Sequence, residues 1–440
     1  MFTPRRLILL LALLVALGDC FYYFQLLLPG AQRTAAANHM IGQFDFGGDF
    51  YPIWLTGREL IHNHANPYSQ EMTRKIQIGL FGRTMDPARP SDPPVEFRAF
   101  SYPLYADLLA GPLLYLGFDW VRIILAIAIP VLTGLSVVIW VRAFAIRISA
   151  TAMAIAILLL LVSYPALEGF YAQQAGLLCG VLLAFVALAL IRNRLVLAGA
   201  LLACASAKPQ MVWPVVLWLA VWALTDWRRR KRFVFGLAAS LLVLMAASEL
   251  LLPGWFFGWW RALAGYSHYT LPPLTQLVLG KWLGAALEAA LFLLTLAVIW
   301  RTRQEPAGSA AFTLAFSWML AMAVLMEPTG GAVYDHIVLL PLILWLIARH
   351  ADILGAPRYI RTVSLITGFA LSWFWLLAAA VAVAALIAPS WARMPEVIVF
   401  PARMAAPLPF LLAMLLAYFV IRMLRENRYT GRQSLSAEAR

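Results

Sequence analysis

Apolar residues run in long unbroken blocks along most of the chain. The blocks fall near residues 1–28, 120–141, 149–165, 175–191, 195–207, 210–226, 234–253, 282–300, 309–326, 335–348, 362–388 and 405–423. Blocks of ~18 to 20 apolar residues are what an α-helix needs to cross the hydrocarbon core of a bilayer. The apolarity is continuous and does not alternate with period two, which argues against the strands of a membrane barrel. Backbone N–H and C=O groups find no water in lipid, so each block is expected to close its own hydrogen bonds as a helix. The pattern predicts an all-α polytopic membrane protein with about twelve transmembrane helices.

Polar residues interrupt this pattern most strongly between Gly30 and Ser101. The chain therefore divides into a first transmembrane helix (1–28), a long loop (29–101), the remaining bundle (102–423) and a tail (424–440), all within a single domain, 1–440. Within the loop, Gln70 to Arg83 mixes apolar and basic residues at helical spacing. It is too short and too charged to span, and predicts a helix lying in the membrane interface. A Pro-rich connector, PARPSDPPVEF, follows. The next stretch, 100–118, is apolar but broken by Pro103, Gly111 and Pro112, and its 102–118 part is expected to dip into the bilayer without crossing. The tryptophan-rich LLPGWFFGWWRALAGYSHY (251–269) predicts a helix in the interfacial aromatic belt. The N-terminus has the look of a signal peptide, but its apolar run continues past Cys20 to Leu28 and Asp19 occupies the cleavage position; a retained helix is expected.

Composition agrees. The 440 residues are 63% hydrophobic and only 12% charged, against roughly a quarter charged in soluble domains. The net charge of +13 does not point to nucleic acid. The basic residues sit in short loops: Arg142/Arg147, Arg192/Arg194, Arg228 to Arg232, Arg301/Arg303, Arg349/Arg358/Arg361 and the tail from Arg422. With both ends cytoplasmic all of these fall on one side, as the positive-inside rule requires. The same topology gathers Asp45, Asp49, Gln173, Gln174, Lys208, Glu327, Asp335 and His336 on the extracytoplasmic side. Cys20, Cys179 and Cys204 lie in apolar runs without metal-ligand spacing and are expected as small core residues.

The stretch from Asp45 to Tyr68, DFGGDFYPIWLTGRELIHNHANPY, concentrates candidate chemistry. Asp49 follows Gly47-Gly48, where the backbone can approach a ligand, and precedes a row of aromatics. It reads as a proton acceptor at the bilayer surface, or as the N-cap of a helix starting near Tyr51. Lys208, in Ala207-Lys208-Pro209-Gln210, reads as a cation for a phosphate or as a snorkelling helix-end lysine. Gln173-Gln174 suit hydrogen bonds to a sugar or a helix terminus. Asp335-His336, behind Thr329-Gly330-Gly331, suit a proton shuttle, a phosphate partner or an interfacial pair. Asp19, Asp107, Glu168, Glu249 and Glu288 are expected near helix ends. No phosphate-binding P-loop, GxSxG, HExxH or Cys cluster is present in the sequence.

These residues carry a resemblance. Asp49-Phe50 with Trp54, Asn66-Pro67-Tyr68, Phe100-Ser101-Tyr102-Pro103, Gln174 in QAGLL, Lys208 in AKPQ, and YDHIVLLP occur in this order over most of residues 1–345. In this the chain resembles the polyprenyl-phosphate-dependent glycosyltransferases of family 87, in the GT-C superfamily, which include α-mannosyltransferases using polyprenyl-phosphate-mannose. It departs from the family pattern at Leu104, where a second Pro follows Tyr-Pro, and at Gln173, where a Gly precedes the Gln. The resemblance implies a GT-C-type bundle whose first extracytoplasmic loop carries the catalytic residues. It implies an inverting transfer of a hexose, most often mannose, from a polyprenyl-phosphate-linked sugar to a lipid or glycan acceptor among the membrane lipids, outside a bacterial-type cytoplasmic membrane. Asp49 would be the general base. Lys208, Arg58 and His336 would face the donor phosphate, and Gln174, Trp54, Tyr68, Tyr102 and Asp335 the sugar or acceptor. No cofactor is implied, with the lipid-linked sugar serving as donor substrate, and a bound metal is not clearly implied. The competing expectations are a secondary transporter or lipid-linked-sugar flippase, which would place charges at the bilayer midplane in repeated halves, and a non-catalytic scaffold.

Overall fold

The computed structural model describes residues 4–40, 46–327 and 332–437, and every regular element among them is helical. Asp45 and Thr329-Gly330-Gly331 lie outside the described residues. Helix α1 (Pro4–Phe21) passes through a π-helical turn (Tyr22–Leu27) into α2 (Leu28–Ala37). The loop region holds α3 (Tyr51–Asn63), α4 (Gln70–Phe81), α5 (Tyr105–Ala110) and a 3-10 turn (Gly111–Tyr115). The bundle continues with α6 (Phe118–Ala143), α7 (Ala150–Leu161), α8 (Tyr164–Ala172), α9 (Ala175–Ile191), α10 (Leu195–Ala205), α11 (Pro209–Thr225) and α12 (Trp227–Leu251). Next come α13 (Trp255–Tyr266), α14 (Leu274–Leu279), α15 (Lys281–Thr302) and α16 (Ala310–Leu325). A 3-10 segment (Val333–Leu339) leads into α17 (Leu340–Ala348), and α18 (His350–Leu354), α19 (Arg358–Ile387), α20 (Pro389–Ala392), α21 (Pro395–Val399) and α22 (Leu408–Ala437) complete the chain.

Among the described residues six helical stretches are long and apolar enough to cross a membrane: Arg5–Ala37, Phe118–Ala143, Trp227–Leu251, Lys281–Thr302, Arg358–Ile387 and Pro395–Glu426. The protein is thus an all-helical, polytopic membrane protein. α7 and α8 form one further apolar stretch, bent by 56°. The other apolar blocks form shorter helices, α9, α10, α11, α16 and the Val333–Ala348 stretch.

Two boundaries differ from expectation. The first helix does not stop at Leu28 but runs to Ala37. Pro29 lacks an N–H, but it sits in the first turn of α2, where none is needed. Gly30 packs on Ile398 instead of ending the helix, since a Cβ there would lie 3.0 Å from that side chain. The polar loop therefore begins near residue 38. Helix α4 closes at Phe81, short of Arg83, because Gly82 adopts the left-handed conformation (φ 70°) of a C-terminal cap; Ser69 caps its start by accepting from the Met72 N–H. The broken stretch at 100–118 folds as two pieces of six and five residues, too short to cross ~30 Å of hydrocarbon. Helix α13 buries Trp255 while Phe257 and Trp260 face outward.

The core is built on α16. Every residue from Phe312 to Leu325 is buried, which fits its being apolar all round. Trp218 of α11 packs on Phe312 and Phe316, and the buried indoles of Trp218 and Trp318 donate to Thr302 and Thr295 of α15. Helices α10 and α12 touch through Gly199 and Gly236: a Cβ on Gly199 would lie 2.4 Å from the Leu237 nitrogen. Small residues allow such close backbone approach in membranes.

The bundle has two chemically distinct ends. Helix α16 runs from Ala310, beside Arg301 and Arg349, to Leu325, two residues before buried Glu327. Helices α9 and α11 start beside Gln174 and Lys208 and end at Arg192 and Asp226.

Candidate functional site

The site forms where three helix junctions meet one loop. Helix α8 ends on Gln173, held in the left-handed region (φ 52°), and extended Gln174 caps α9. Segment 46–50 is pinned to the same junction. Gly47 N–H donates to the Tyr171 carbonyl (2.8 Å) and Asp49 N–H to the Ala172 carbonyl (3.0 Å). These carbonyls belong to the last turn of α8 and have no partner within it, so the loop serves as the helix cap. Gly47 (φ 89°) is required there, since a Cβ would lie 2.7 Å from the Gln173 side-chain oxygen.

Asp49 is thereby brought to Gln174. Gln174 Nε2 donates to Asp49 Oδ2 at 2.7 Å, and Arg98 Nη1 donates to Asp49 Oδ1 at 2.6 Å. The Tyr102 hydroxyl donates to Gln174 Oε1 at 3.1 Å. The N-cap reading of Asp49 does not hold: the capping position of α3 is Phe50, without a side-chain bond. Arg98 adopts a left-handed backbone (φ 66°). Burial works against its charge, but the neighbouring Asp49 carboxylate holds the guanidinium above its ordinary pKa. The loop carrying Arg98 is fastened from both sides. Gln77 of α4 donates to the carbonyls of Val95 and Phe97, and Trp259 of α13 to that of Ser101.

Lys208 stands at the turn between α10 and α11. It does not snorkel: it is buried and donates to both oxygens of Asp335 at 2.5 and 2.6 Å. Its ammonium also lies 4.9 Å from the centre of the Tyr334 ring. The pair fits because Gly176, in the first turn of α9, leaves room. A Cβ there would lie 2.2 Å from Asp335 Oδ1 and 2.9 Å from Lys208 Nζ.

Three cavities meet around Tyr102. One, of about 250 Å³, is walled by Asp49, Arg98, Gln174 and the rings of Tyr266, Tyr269 and Tyr334. The second, of about 140 Å³, shares Tyr102, Gln174, Tyr266 and Tyr334 with it and adds Lys208 and Asp335. The third, of about 470 Å³, is apolar and runs among Phe50, Leu109, Leu113, Leu125, Leu178 and Phe185, ending at Tyr102 and Lys208. Burial pushes the Tyr266 and Tyr269 hydroxyls above the ordinary phenol range, so they serve as neutral hydrogen-bonding groups.

The structure thus brings together Asp49, Gln174, Tyr102, Lys208 and Asp335. Asp335 holds Lys208 and does not stand alone as a sugar ligand. Tyr68 is one layer out, donating to the Tyr102 carbonyl at 3.0 Å. Arg58 and Trp54 are elsewhere. Arg58 points at the carbonyls of Leu114 and Leu116 and lies over the Trp54 ring, whose indole N–H also binds Leu116. His336 walls neither polar cavity. Asp107 faces Thr56, Glu168 accepts from Tyr23, and Glu288 from Gln276. Arg98, Tyr266, Tyr269 and Tyr334 are site residues that sequence reasoning missed. For Arg98 the available signal was a basic residue between Phe97 and Phe100, directly ahead of the Ser-Tyr-Pro. Among the described residues no group of three or more His, Cys, Asp or Glu is placed to hold a metal ion. Comparison with protein-family models, curated proteins and solved structures returned no match.

Proposed function

We propose that the protein is a membrane glycosyltransferase. It moves a hexose, mannose foremost, from a polyprenyl-phosphate donor to a lipid or glycan acceptor, on the extracytoplasmic face and with inversion. The observation that carries this reading is the junction at Lys208 and Tyr102. There an apolar cavity suited to a prenyl chain ends on a cation, and polar chambers beyond it lead to a carboxylate.

In this reading the lipid tail occupies the apolar cavity, the phosphate meets Lys208, and the sugar lies along Gln174 and Tyr102. The acceptor enters the chamber lined by Tyr266, Tyr269 and Tyr334. Its hydroxyl gives its proton to Asp49 as the oxygen bonds to the anomeric carbon. The bond from that carbon to the phosphate oxygen breaks, and the electron pair leaves with the phosphate. Lys208 stabilises the developing charge, a role worth ~3 to 4 kcal/mol when one such donor is removed. Arg98 and Gln174 fix the carboxylate so that a lone pair faces the chamber. A transporter would need a polar route past the centre of the bundle, where α16 presents only buried, almost wholly apolar side chains.

The test is incubation of purified protein with labelled polyprenyl-phosphate sugars and a membrane lipid extract, followed by identification of the product. Transfer by the wild type and its loss in Asp49→Asn, with unchanged insertion and thermal unfolding, supports the reading. Undiminished transfer in Asp49→Asn overturns the assignment of the base, and no transfer from any such donor overturns the function.

A further inference from the structure

A further polar pocket, of about 350 Å³, lies at the end of the bundle away from Asp49 and shares no residue with the candidate site. Three guanidiniums from three helices converge on it: Arg301 at the end of α15, Arg349 after α17, and Arg422 on α22. Asp352 and Glu426 line it too, and Trp345, Phe419 and Leu314 supply apolar wall. Each arginine has a carboxylate partner within its own local stretch. Arg301 donates to Glu305 at 3.0 Å, Arg349 to Asp352 at 3.2 Å and Arg422 to Glu426 at 2.6 Å. Such i,i+3 and i,i+4 pairs are weak, and each occupies only part of a guanidinium with five N–H donors. Arg301 Nε is buried with no hydrogen-bond partner, a donor that calls for an acceptor. Ala310 and Ala311, the first turn of α16, also line the pocket and bring the positive end of a sixteen-residue helix.

The charges decide the ligand. With Glu305 behind Arg301, arginines and carboxylates balance. A purely anionic ligand gains donors but meets Asp352 and Glu426 at close quarters. A zwitterion satisfies both sets, with a phosphodiester on the guanidiniums and an ammonium on the carboxylates. Along the same helices, in the turns before Arg301 and Arg422, Leu293, Leu296 and Trp300 on α15 and Met414 and Ile421 on α22 are exposed, side chains suited to acyl chains. We propose that this pocket binds the headgroup of a phospholipid bearing a phosphodiester and a primary ammonium, as phosphatidylethanolamine does, in the leaflet opposite the candidate site.

The test is native mass spectrometry of the purified full-length protein. It is titrated separately with phosphatidylethanolamine, phosphatidylglycerol and phosphatidylcholine of identical acyl chains, and with inorganic phosphate. Phosphatidylethanolamine is expected to bind at least ten-fold more tightly than the other two lipids, and inorganic phosphate not to compete at millimolar concentration. Arg349→Gln/Arg422→Gln should weaken it about ten-fold. Asp352→Asn/Glu426→Gln should bring it to the level of phosphatidylcholine while leaving phosphatidylcholine unchanged. These four side chains are well exposed, and thermal unfolding confirms that the variants fold. Equal binding of the three lipids, tighter binding of phosphatidylglycerol, competition by inorganic phosphate, or indifference to both double variants would each overturn the proposal.

Discussion

The Lys208–Asp335 pair permits the sharpest test, because its structural and chemical roles make opposite demands. Both side chains are almost fully buried, at 6% and 1% exposure, with contacts of 2.5 and 2.6 Å. Removing one partner of such a pair leaves an uncompensated charge and costs ~3 to 5 kcal/mol, whereas replacing both by apolar residues is often neutral. The two single losses should differ. Glu327 also lies within electrostatic reach of Lys208, so Asp335→Asn leaves the lysine a second counter-charge, while Lys208→Met leaves the Asp335 carboxylate without the ammonium that binds both its oxygens. We therefore expect Lys208→Met to be the more destabilising, Asp335→Asn milder, and Lys208→Met/Asp335→Leu to recover at least ~2 kcal/mol relative to the sum of the single losses. Thermal unfolding in a single detergent reads the stabilities, and transfer from a polyprenyl-phosphate sugar reads the chemistry. The double variant should be stable yet inactive. If it is as unstable as Lys208→Met, the pair is not coupled as its geometry demands. If it is fully active, Lys208 does not serve the phosphate.

Other consequences can be checked in the same preparation. Gly176→Ala should lower both unfolding temperature and transfer, although Ala favours a helix over Gly by ~1 kcal/mol, because the added methyl lands 2.2 Å from Asp335 Oδ1. Asp49→Asn should reduce turnover by ~10²- to 10⁴-fold, the usual contribution of a general base, with insertion unchanged. Arg83 donates to both oxygens of Asp92 at 2.5 and 2.6 Å and holds its pKa down at about 2, below the ordinary 3.8. A depressed carboxylate contributes stability that is present above the unfolded pKa and is lost as pH falls towards 2. Proteolysis of the 82–100 loop should thus be faster in Arg83→Gln than in wild type above pH ~4, with the difference vanishing near pH 2; a constant difference across that range would refute the assignment.

Much of the architecture was legible because hydrophobic blocks respond to a local rule. Each apolar run folds as helix whatever its neighbours do. For Asp49 and Lys208 the sequence left two readings each, and the structure removes the plain one: Phe50, not Asp49, holds the capping position of α3, and Lys208 is buried against Asp335. The partners were not legible. Arg98 meets Asp49 across 49 positions and Asp335 meets Lys208 across 127, and no local pattern encodes such pairings. Arg58 illustrates the converse error. It lies nearer to Asp49 in sequence, but its place on α3 turns it towards the carbonyls of 114 and 116. The end of the first helix was misjudged because the apolar run ends at Leu28, while here a π-turn and a contact with Ile398 carry the helix on through polar residues.

Tyr102 forms part of the wall of all three cavities, and that has a thermodynamic corollary. A guest that swings this ring in one compartment resizes the other two. Occupancies of the three are then linked, and whatever factor one guest imposes on a second, the second returns to the first. The phenol of one residue is in this sense a shared partition, through which the oily compartment and the watery one sense each other's contents.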